Sequence, residues 1–292
     1  MRILPLALLT LTCLGCAPRE IVVTRSRLLM GNIPVNLSLK VSPERKAAAL
    51  DAGDDAYELA EALEEKVSEY RPDSEVSCLN RQAGKAPCPL SPETLDLLRR
   101  ALDFSERTGG ALDIRFASLS PAGSRGKVRL EDNPPSAFLA HPDTRIGIGA
   151  IGKGWIVDRM IEGLKARGFD QALIDAGGDL RASGGPWNVS IQVPHAPPGV
   201  TAEPRQISDR SLATSGLYER GPHILDPKTR RTVQRPGSVS VEAGDLTTAD
   251  ALDTALFVMG EARTQEILRQ FSSLRVIWMD RDGKTRRYEN AR

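Results

Sequence analysis

Polar and apolar residues alternate through VNLSLKV (35–41), which sends successive side chains to opposite faces of an extended chain. With the apolar-rich segment from Ile21 onward, this predicts a strand pair turning around Met30 and Gly31. From Pro43 to about Tyr70 the period changes: Ala56, Leu59, Leu63 and Val67 recur at helical spacing among acids and lysines, predicting a long surface helix. Ser91 has the chemistry of a helix cap, with Pro92 at the first position, Leu95, Leu98 and Leu102 facing inward and Gly109-Gly110 as the stop. Residues 118–142 are rich in Pro, Gly and charge and read as a long loop. A third helix is predicted from Lys153 to Ala166, burying Val157, Met160, Ile161 and Leu164 and ending at Gly168. Short strands follow in QALIDAGG, WNVSIQVP, RQISDRSLATSG and SVSVEAG, then a helix over 248–259, another to about Gln270, and a hairpin turning at Asp282-Gly283. Hairpins stand where parallel crossovers would need helices, so the pattern predicts an α+β (mixed α/β) chain without an internal repeat.

Composition narrows the function classes. The 292 residues carry 39 Lys plus Arg against 38 Asp plus Glu, a net charge of +1, and aromatics make up 4%. That balance, with no block of like charge, gives no electrostatic or stacking footprint for nucleic acid. Arg2 precedes an apolar run from Ile3 to Leu14, followed by Gly15 and Cys16. The run is too short to span a bilayer and reads as a signal segment, 1–16, with Cys16 placed as a lipidated N-terminus. An ordinary secretory signal is the other reading, and both export the chain. Residues 17–29 then serve as linker and first strand, and 30–292 as the main domain. The exported part holds Cys78 and Cys88, either two idle thiols or a short disulfide loop contributing about 2–3 kcal/mol.

Candidate chemistry concentrates in TTADALDTALFVMG (247–260). Asp250, Asp253 and Thr254 stand at i, i+3 and i+4, so their oxygens share one face opposite an apolar stripe. Two carboxylates and a hydroxyl suit Mg²⁺, which usually completes its shell with substrate phosphate oxygens. The plainer alternative is a helix capped by a Thr, with acids that favour its dipole. In GIGAIG, Gly147, Gly149 and Gly152 satisfy GxGxxG and Lys153 follows, yet no buried strand precedes and no βαβ series follows. What survives is a glycine loop and a helix start able to approach a phosphate closely. His223, in HILDP, is either a general base or a structural histidine.

Seven blocks, SEYRPDSEVSCLN, GGALDI, GAIGKGWIVD, LIDAGGDLRASGG, LATSGLYER, HILDPKT and TTADALDTALFVMG, resemble in this order the motif series of the ApbE family, the FAD:protein FMN transferases. The resemblance implies an ApbE/T-fold-like structure of mainly antiparallel sheets with packed helices. It implies Mg²⁺ as cofactor, FAD as substrate, and transfer of FMN to a Thr or Ser hydroxyl of an extracytoplasmic target, with AMP released. Met30, Tyr70, Ala111, Leu112, Asp113, Lys153 and Ile224 correspond to cofactor contacts. The Ala150 carbonyl, Asp250 and Thr254 correspond to metal ligands, with Asp253 on the same face a third side chain, and His223 to the catalytic position. The family further implies a periplasmic protein, lipid-anchored through Cys16 with the inner membrane favoured, acting on a subunit of a membrane redox complex. Asn32, Cys78, Gly147 and Arg230 depart from the pattern; Gly147 stands where many relatives carry an Asp that contacts FAD. An FAD pyrophosphatase and a non-catalytic FAD-binding lipoprotein are the alternative functions.

Overall fold

The computed structural model describes residues 20–197, 199–218, 221 and 224–290. The leader, with Cys13 and Cys16, lies outside the described residues, as does His223. The first hairpin forms as its alternation predicts: β1 (Ile21–Leu29) pairs antiparallel with β2 (Ile33–Val41), and the turn at Met30 to Asn32 has positive φ at each residue. Val35, Leu37 and Leu39 of β2 are buried against α1 (Lys46–Val67). Leu59, expected inward, instead keeps 36% of its surface exposed. The buried stripe of α1 runs through small residues, Ala49, Ala52, Gly53, Ala56 and Ala60, which let the helix lie close to the hairpin. A larger side chain beside that stripe is turned outward.

The sequence pattern did not reveal α2 (Glu75–Gln82), an eight-residue helix capped by Ser74, whose Oγ accepts the Ser77 N–H at 3.0 Å. Two helical turns offer too little period to register. A Cys78–Cys88 disulfide, with Cα atoms 6.4 Å apart, ties α2 to β3 (Cys88–Pro89), so the two cysteines are a pair. Next, α3 (Pro92–Arg107) starts as predicted, with Ser91 Oγ accepting the Thr94 N–H; Leu95 and Leu98 are buried, whereas Leu102 is only partly so. Residues 118–142 are not a loop: they hold α4 (Pro121–Ser124) and a hairpin of β4 (Val128–Asp132) and β5 (Pro135–Leu139). Their Pro and Gly residues punctuate short elements; Pro121 opens α4 and Pro134 lies in the hairpin turn.

The remaining elements are α5 (Gly152–Ala166), β6 (Ala172–Ala176), β7 (Asp179–Ser183), β8 (Trp187–Gln192), β9 (Thr201–Ile207), β10 (Ser211–Gly216), β11 (Leu225–Asp226), β12 (Arg231–Thr232), β13 (Ser238–Ala243), α6 (Leu246–Met259), α7 (Thr264–Gln270), β14 (Arg275–Met279) and β15 (Thr285–Glu289). Strand β7 is additional to those the sequence pattern separated, and RQISDRSLATSG divides into the end of β9 and β10. Eight strands form one sheet in the order β1-β2-β6-β7-β10-β13-β14-β15, every neighbouring pair antiparallel. Helices α1, α5 and α6 cover one face, packing Leu37, Ile174, Ala213 and Val241 into the main core. The β8–β9 hairpin covers part of the other, where Leu180, Ile191, Leu212 and Ile277 meet. Strand β13 is therefore buried at all six positions, and Glu242 survives there by pairing with Arg205, Arg210 and Arg275 at 3.2, 3.0 and 2.9 Å. The α+β class with antiparallel sheets matches the sequence expectation.

Candidate functional site

The site is built where α5 crosses α6. Gly154 allows the approach: a Cβ there would stand 2.7 Å from the Leu246 carbonyl carbon and 2.9 Å from Asp250 Cβ. Its N–H donates to Asp250 Oδ2 at 2.8 Å. One turn further along α5, buried Asp158 accepts from the Leu246 N–H (2.9 Å), the Thr247 N–H (2.8 Å), the Thr247 hydroxyl (2.6 Å) and Arg181 Nε (3.1 Å). Burial raises the Asp158 carboxyl above its ordinary range, against the opposing pull of the Thr247 and Leu246 donors. The cap of α6 is Asp245, which accepts the Thr248 N–H at 2.8 Å, rather than a Thr. Nor does the polar face of α6 meet bulk water, for Asp250 and Asp253 are 5% and 2% exposed. That face turns toward a cavity of about 360 Å³.

Ala150, Lys153, Asp250, Asp253 and Thr254 all line this cavity. Lys153 Nζ forms an ion pair with Asp179 and lies 3.3 Å from Asp250 Oδ1. Asp179 arrives from β7, just beyond the Gly177–Gly178 turn, and its Oδ1 accepts the Thr214 N–H at 3.0 Å. The Thr254 hydroxyl lies 3.2 Å from Asp253 Oδ1 and 3.3 Å from Ser215 Oγ. Burial, and then the neighbouring Asp250, push the Asp253 carboxyl well above the ordinary range, while Lys153 and Thr254 oppose the shift. Among the described residues no group of three Asp, Glu, His or Cys side chains is arranged to hold a metal ion. The oxygen-bearing side chains of α6 that line this wall are two carboxylates and a hydroxyl, with Ala150 of the glycine loop beside them.

The remaining wall is less polar. Ala111, Leu112 and Asp113 line it just after the Gly109-Gly110 stop of α3. Both Asp113 oxygens are held by Arg115, at 2.8 Å from Nε and 2.8 Å from Nη2, and Asp113 also caps the Ile114–Ala117 turn of 3₁₀ helix. Tyr70 lines the cavity while 88% exposed, leaving its ring free for a planar ligand; Ile224 is buried in the wall. Met30 is not among the lining residues; it sits in the β1–β2 turn, where its N–H donates to Glu64 Oε2 at 2.8 Å. Glu69, Asp179 and Ser215 line the cavity although the sequence reading singled out none of them. It also missed Asn80 of α2, which clamps the Ile146 backbone through bonds of 2.8 and 2.9 Å and so fixes the start of the glycine loop. Asp179 and Ser215 reach the cavity through strand pairing, which no local spacing announces.

Residues 34–278 match the model of the ApbE family. The chain belongs to this family. It is similar to the FAD:protein FMN transferase of Treponema pallidum, 29% identical over 313 residues and covering 90% of this chain and 86% of that one. To the FAD:protein FMN transferase of Vibrio cholerae it is 30% identical over 241 residues, 70% of this chain and 72% of the relative. The solved flavin transferase ApbE of Vibrio cholerae superposes with a TM-score of 0.76 at 24% identity, covering 94% of this chain and 98% of that one. The apo flavinyl transferase ApbE of Pseudomonas stutzeri gives 0.77 at 22%, covering 93% and 95%. These two likenesses establish the fold.

Proposed function

We propose that this ApbE-family chain transfers FMN from FAD to a Thr or Ser hydroxyl of a target protein, releasing AMP, in a Mg²⁺-dependent reaction. The observation that carries the reading is one cavity shared by a phosphate-compatible glycine loop, Lys153, the buried Asp250–Asp253–Thr254 group and an exposed aromatic ring at Tyr70. The donor set fits a hard divalent cation: Asp253 is a buried carboxylate beside a second one, the arrangement a cation relieves. Asp250, Asp253, Thr254 and the Ala150 carbonyl would hold it. Bound there, the cation supplies neutralisation of phosphate charge, the main catalytic demand in phosphoryl transfer.

The chain's own groups do the rest. Lys153 presents its ammonium to the phosphates, Tyr70 and Ile224 offer surface to the flavin, and backbone from 111 to 113 frames the nucleotide. His223, adjacent in sequence to cavity-lining Ile224, is assigned to accept the proton of the incoming hydroxyl. The leader and the Cys78–Cys88 disulfide support an oxidising, extracytoplasmic setting, with lipid on Cys16 as the membrane anchor and a subunit of a membrane redox complex as acceptor. Incubation with FAD, Mg²⁺ and an acceptor bearing a Ser/Thr-Gly-Ala-Thr segment, followed by mass measurement, is the test. Addition of one FMN per acceptor is expected, with Asp250→Ala abolishing it. Full activity in that variant overturns the metal assignment, and AMP release with an unlabelled acceptor overturns transfer in favour of hydrolysis.

A further inference from the structure

A second cavity, of about 330 Å³, adjoins the first and shares Gly177, Asp179, Thr214 and Tyr218 with it. It lies on the other face of the main sheet, under the β8–β9 hairpin, with Leu180 and Leu212 as its floor. The cavities meet where β7 and β10 part: these strands pair only at Ser211–Arg181 and Leu212–Leu180, while β10 stays paired with β13 as far as Gly216. Asp179 stands in that opening, its Oδ1 accepting the Thr214 N–H at 3.0 Å and its carboxylate paired with Lys153. The wall supplied by the hairpin is a strand edge. Residues 188–192 of β8 line the cavity without the alternation that a strand face gives, and among the described residues β8 pairs with β9 alone. The β8–β9 register also shifts between Val189 and Ile191, leaving Ser190 without a register partner on β9. A strand edge of this kind beside a cavity is a template for a further strand.

We propose that this groove takes the acceptor protein: the segment around its target Ser or Thr lies extended along β8 as a third strand and delivers the hydroxyl through the opening at Asp179. FMN passes from FAD to a protein in this family, so a polypeptide must reach the Lys153 wall while the dinucleotide occupies the first cavity. The opening comes out beside Asp179, the partner of Lys153, so a chain in the groove ends next to the group assigned to the phosphates. Asn188, Ser190, Gln192 and Thr201 give the groove uncharged hydrogen-bonding side chains, and the acids Asp175 and Asp179 disfavour a second phosphate group there. The 188–192 edge spans about 14 Å, room for about four residues of extended chain. This inference rests on the transfer reading above.

The test measures FMN transfer at varied concentrations of the Ser/Thr-Gly-Ala-Thr acceptor, with FAD affinity read separately by flavin fluorescence, for the parent, Ser190→Trp, Thr201→Trp and Thr24→Trp. Ser190 and Thr201 are exposed and line the second cavity but not the first, whereas Thr24 is exposed on β1, an edge of the main sheet. An indole filling the groove is expected to raise the acceptor KM about tenfold in Ser190→Trp and Thr201→Trp, with FAD affinity changed less than about twofold and Thr24→Trp equal to the parent. FAD binding reports that each variant is folded. Strand addition is read from the acceptor: proline placed at successive positions beside the target residue raises KM at every second position, because alternate residues direct their N–H at β8. Parental acceptor KM in both groove variants, an equal rise in Thr24→Trp, or a parallel loss of FAD affinity overturns the groove. Proline effects without alternation overturn the strand addition. A parent protein that binds FAD but labels no acceptor overturns the transfer reading instead.

Discussion

Replacing Gly154 with Ala places a methyl group in the α5–α6 crossing, 2.7 Å from the Leu246 carbonyl carbon and 2.9 Å from Asp250 Cβ. Ordinary carbon contacts lie at about 3.5–4.0 Å, so the helices must part by roughly 1 Å. Over-packing of this kind costs about 1–3 kcal/mol. Parting also stretches the 2.8 Å bond from the Gly154 N–H to Asp250 Oδ2, a bond to a charged acceptor whose full loss costs about 1.5–3 kcal/mol. Alanine returns about 1 kcal/mol of helix propensity, leaving a net cost of about 1.5–5 kcal/mol if the bond is lost in full. For a chain of this length each kcal/mol lowers Tm by about 2 °C, so a fall of about 3–10 °C is expected. Activity is predicted to fall further than stability, because Asp250 moves relative to Lys153 and a 1 Å misplacement can cost about 100-fold. Gly163→Ala is the control on the same helix: its Cβ meets only Leu59 Cδ2 at 3.5 Å, an ordinary contact. Calorimetric Tm and the initial rate of FMN transfer, measured on both variants, decide the matter. A Gly154→Ala protein with parental Tm and rate refutes the argument that this crossing sets the site.

Two further outcomes follow from bonds that brace the site. Asp96 of α3 accepts from buried Trp155 Nε1 at 2.9 Å and from Arg100; burial alone would raise its carboxyl, but those donors hold it below the ordinary range. A carboxyl lowered in the folded state contributes its stability above its unfolded value, about 3.9, and loses it as pH falls through the folded value. Asp96→Asn is therefore expected to cost about 1 kcal/mol at pH 7, after allowance for the partial exposure of Asp96, and little at pH 3; equal urea-midpoint shifts at both values would sink this assignment. For the disulfide, with a sequence separation of 10, replacing Cys78 and Cys88 together by Ser is expected to cost about 2–3 kcal/mol in denaturant titration. Parental stability in that variant shows that the bridge does not brace α2 and, through Asn80, the glycine loop.

Elements that combine a clear period with a boundary residue were legible in the chain. The β1–β2 hairpin, α3 with Ser91 and Pro92, and α5 ending at Gly168 all have both signals. Residues 118–142 misled because Pro, Gly and charge mark the ends of short elements as readily as they mark loops; five-residue strands such as β4 and β5 leave no period to outweigh them. In the site, Lys153, Ala150, Asp250, Asp253 and Thr254 were each found and do line one cavity, whereas Met30 does not. Glu69, Asp179 and Ser215 were hidden for a common reason. Each meets a partner far along the chain: Gly147 for Glu69, Lys153 for Asp179 and Thr254 for Ser215.

The least legible property was the environment of α6. Oxygens at i, i+3 and i+4 define a polar face whether that face meets water or protein, and the two cases differ in their chemistry. On a solvent-exposed helix, Asp250 and Asp253 would be screened acids that do little beyond favouring the dipole. Here the β10 and β13 strands, α5 and the glycine loop enclose them, so Asp179 and Asp250 share the Lys153 ammonium while buried Asp253 stands beside Asp250. Charge imbalance of that kind is relieved by protonation or by a cation, and a substrate phosphate then restores neutrality around the cation. Burial, set by Gly154 and by the Asp158 clamp on the first turn of α6, is what separates these acids from the common solvent-exposed helical pattern.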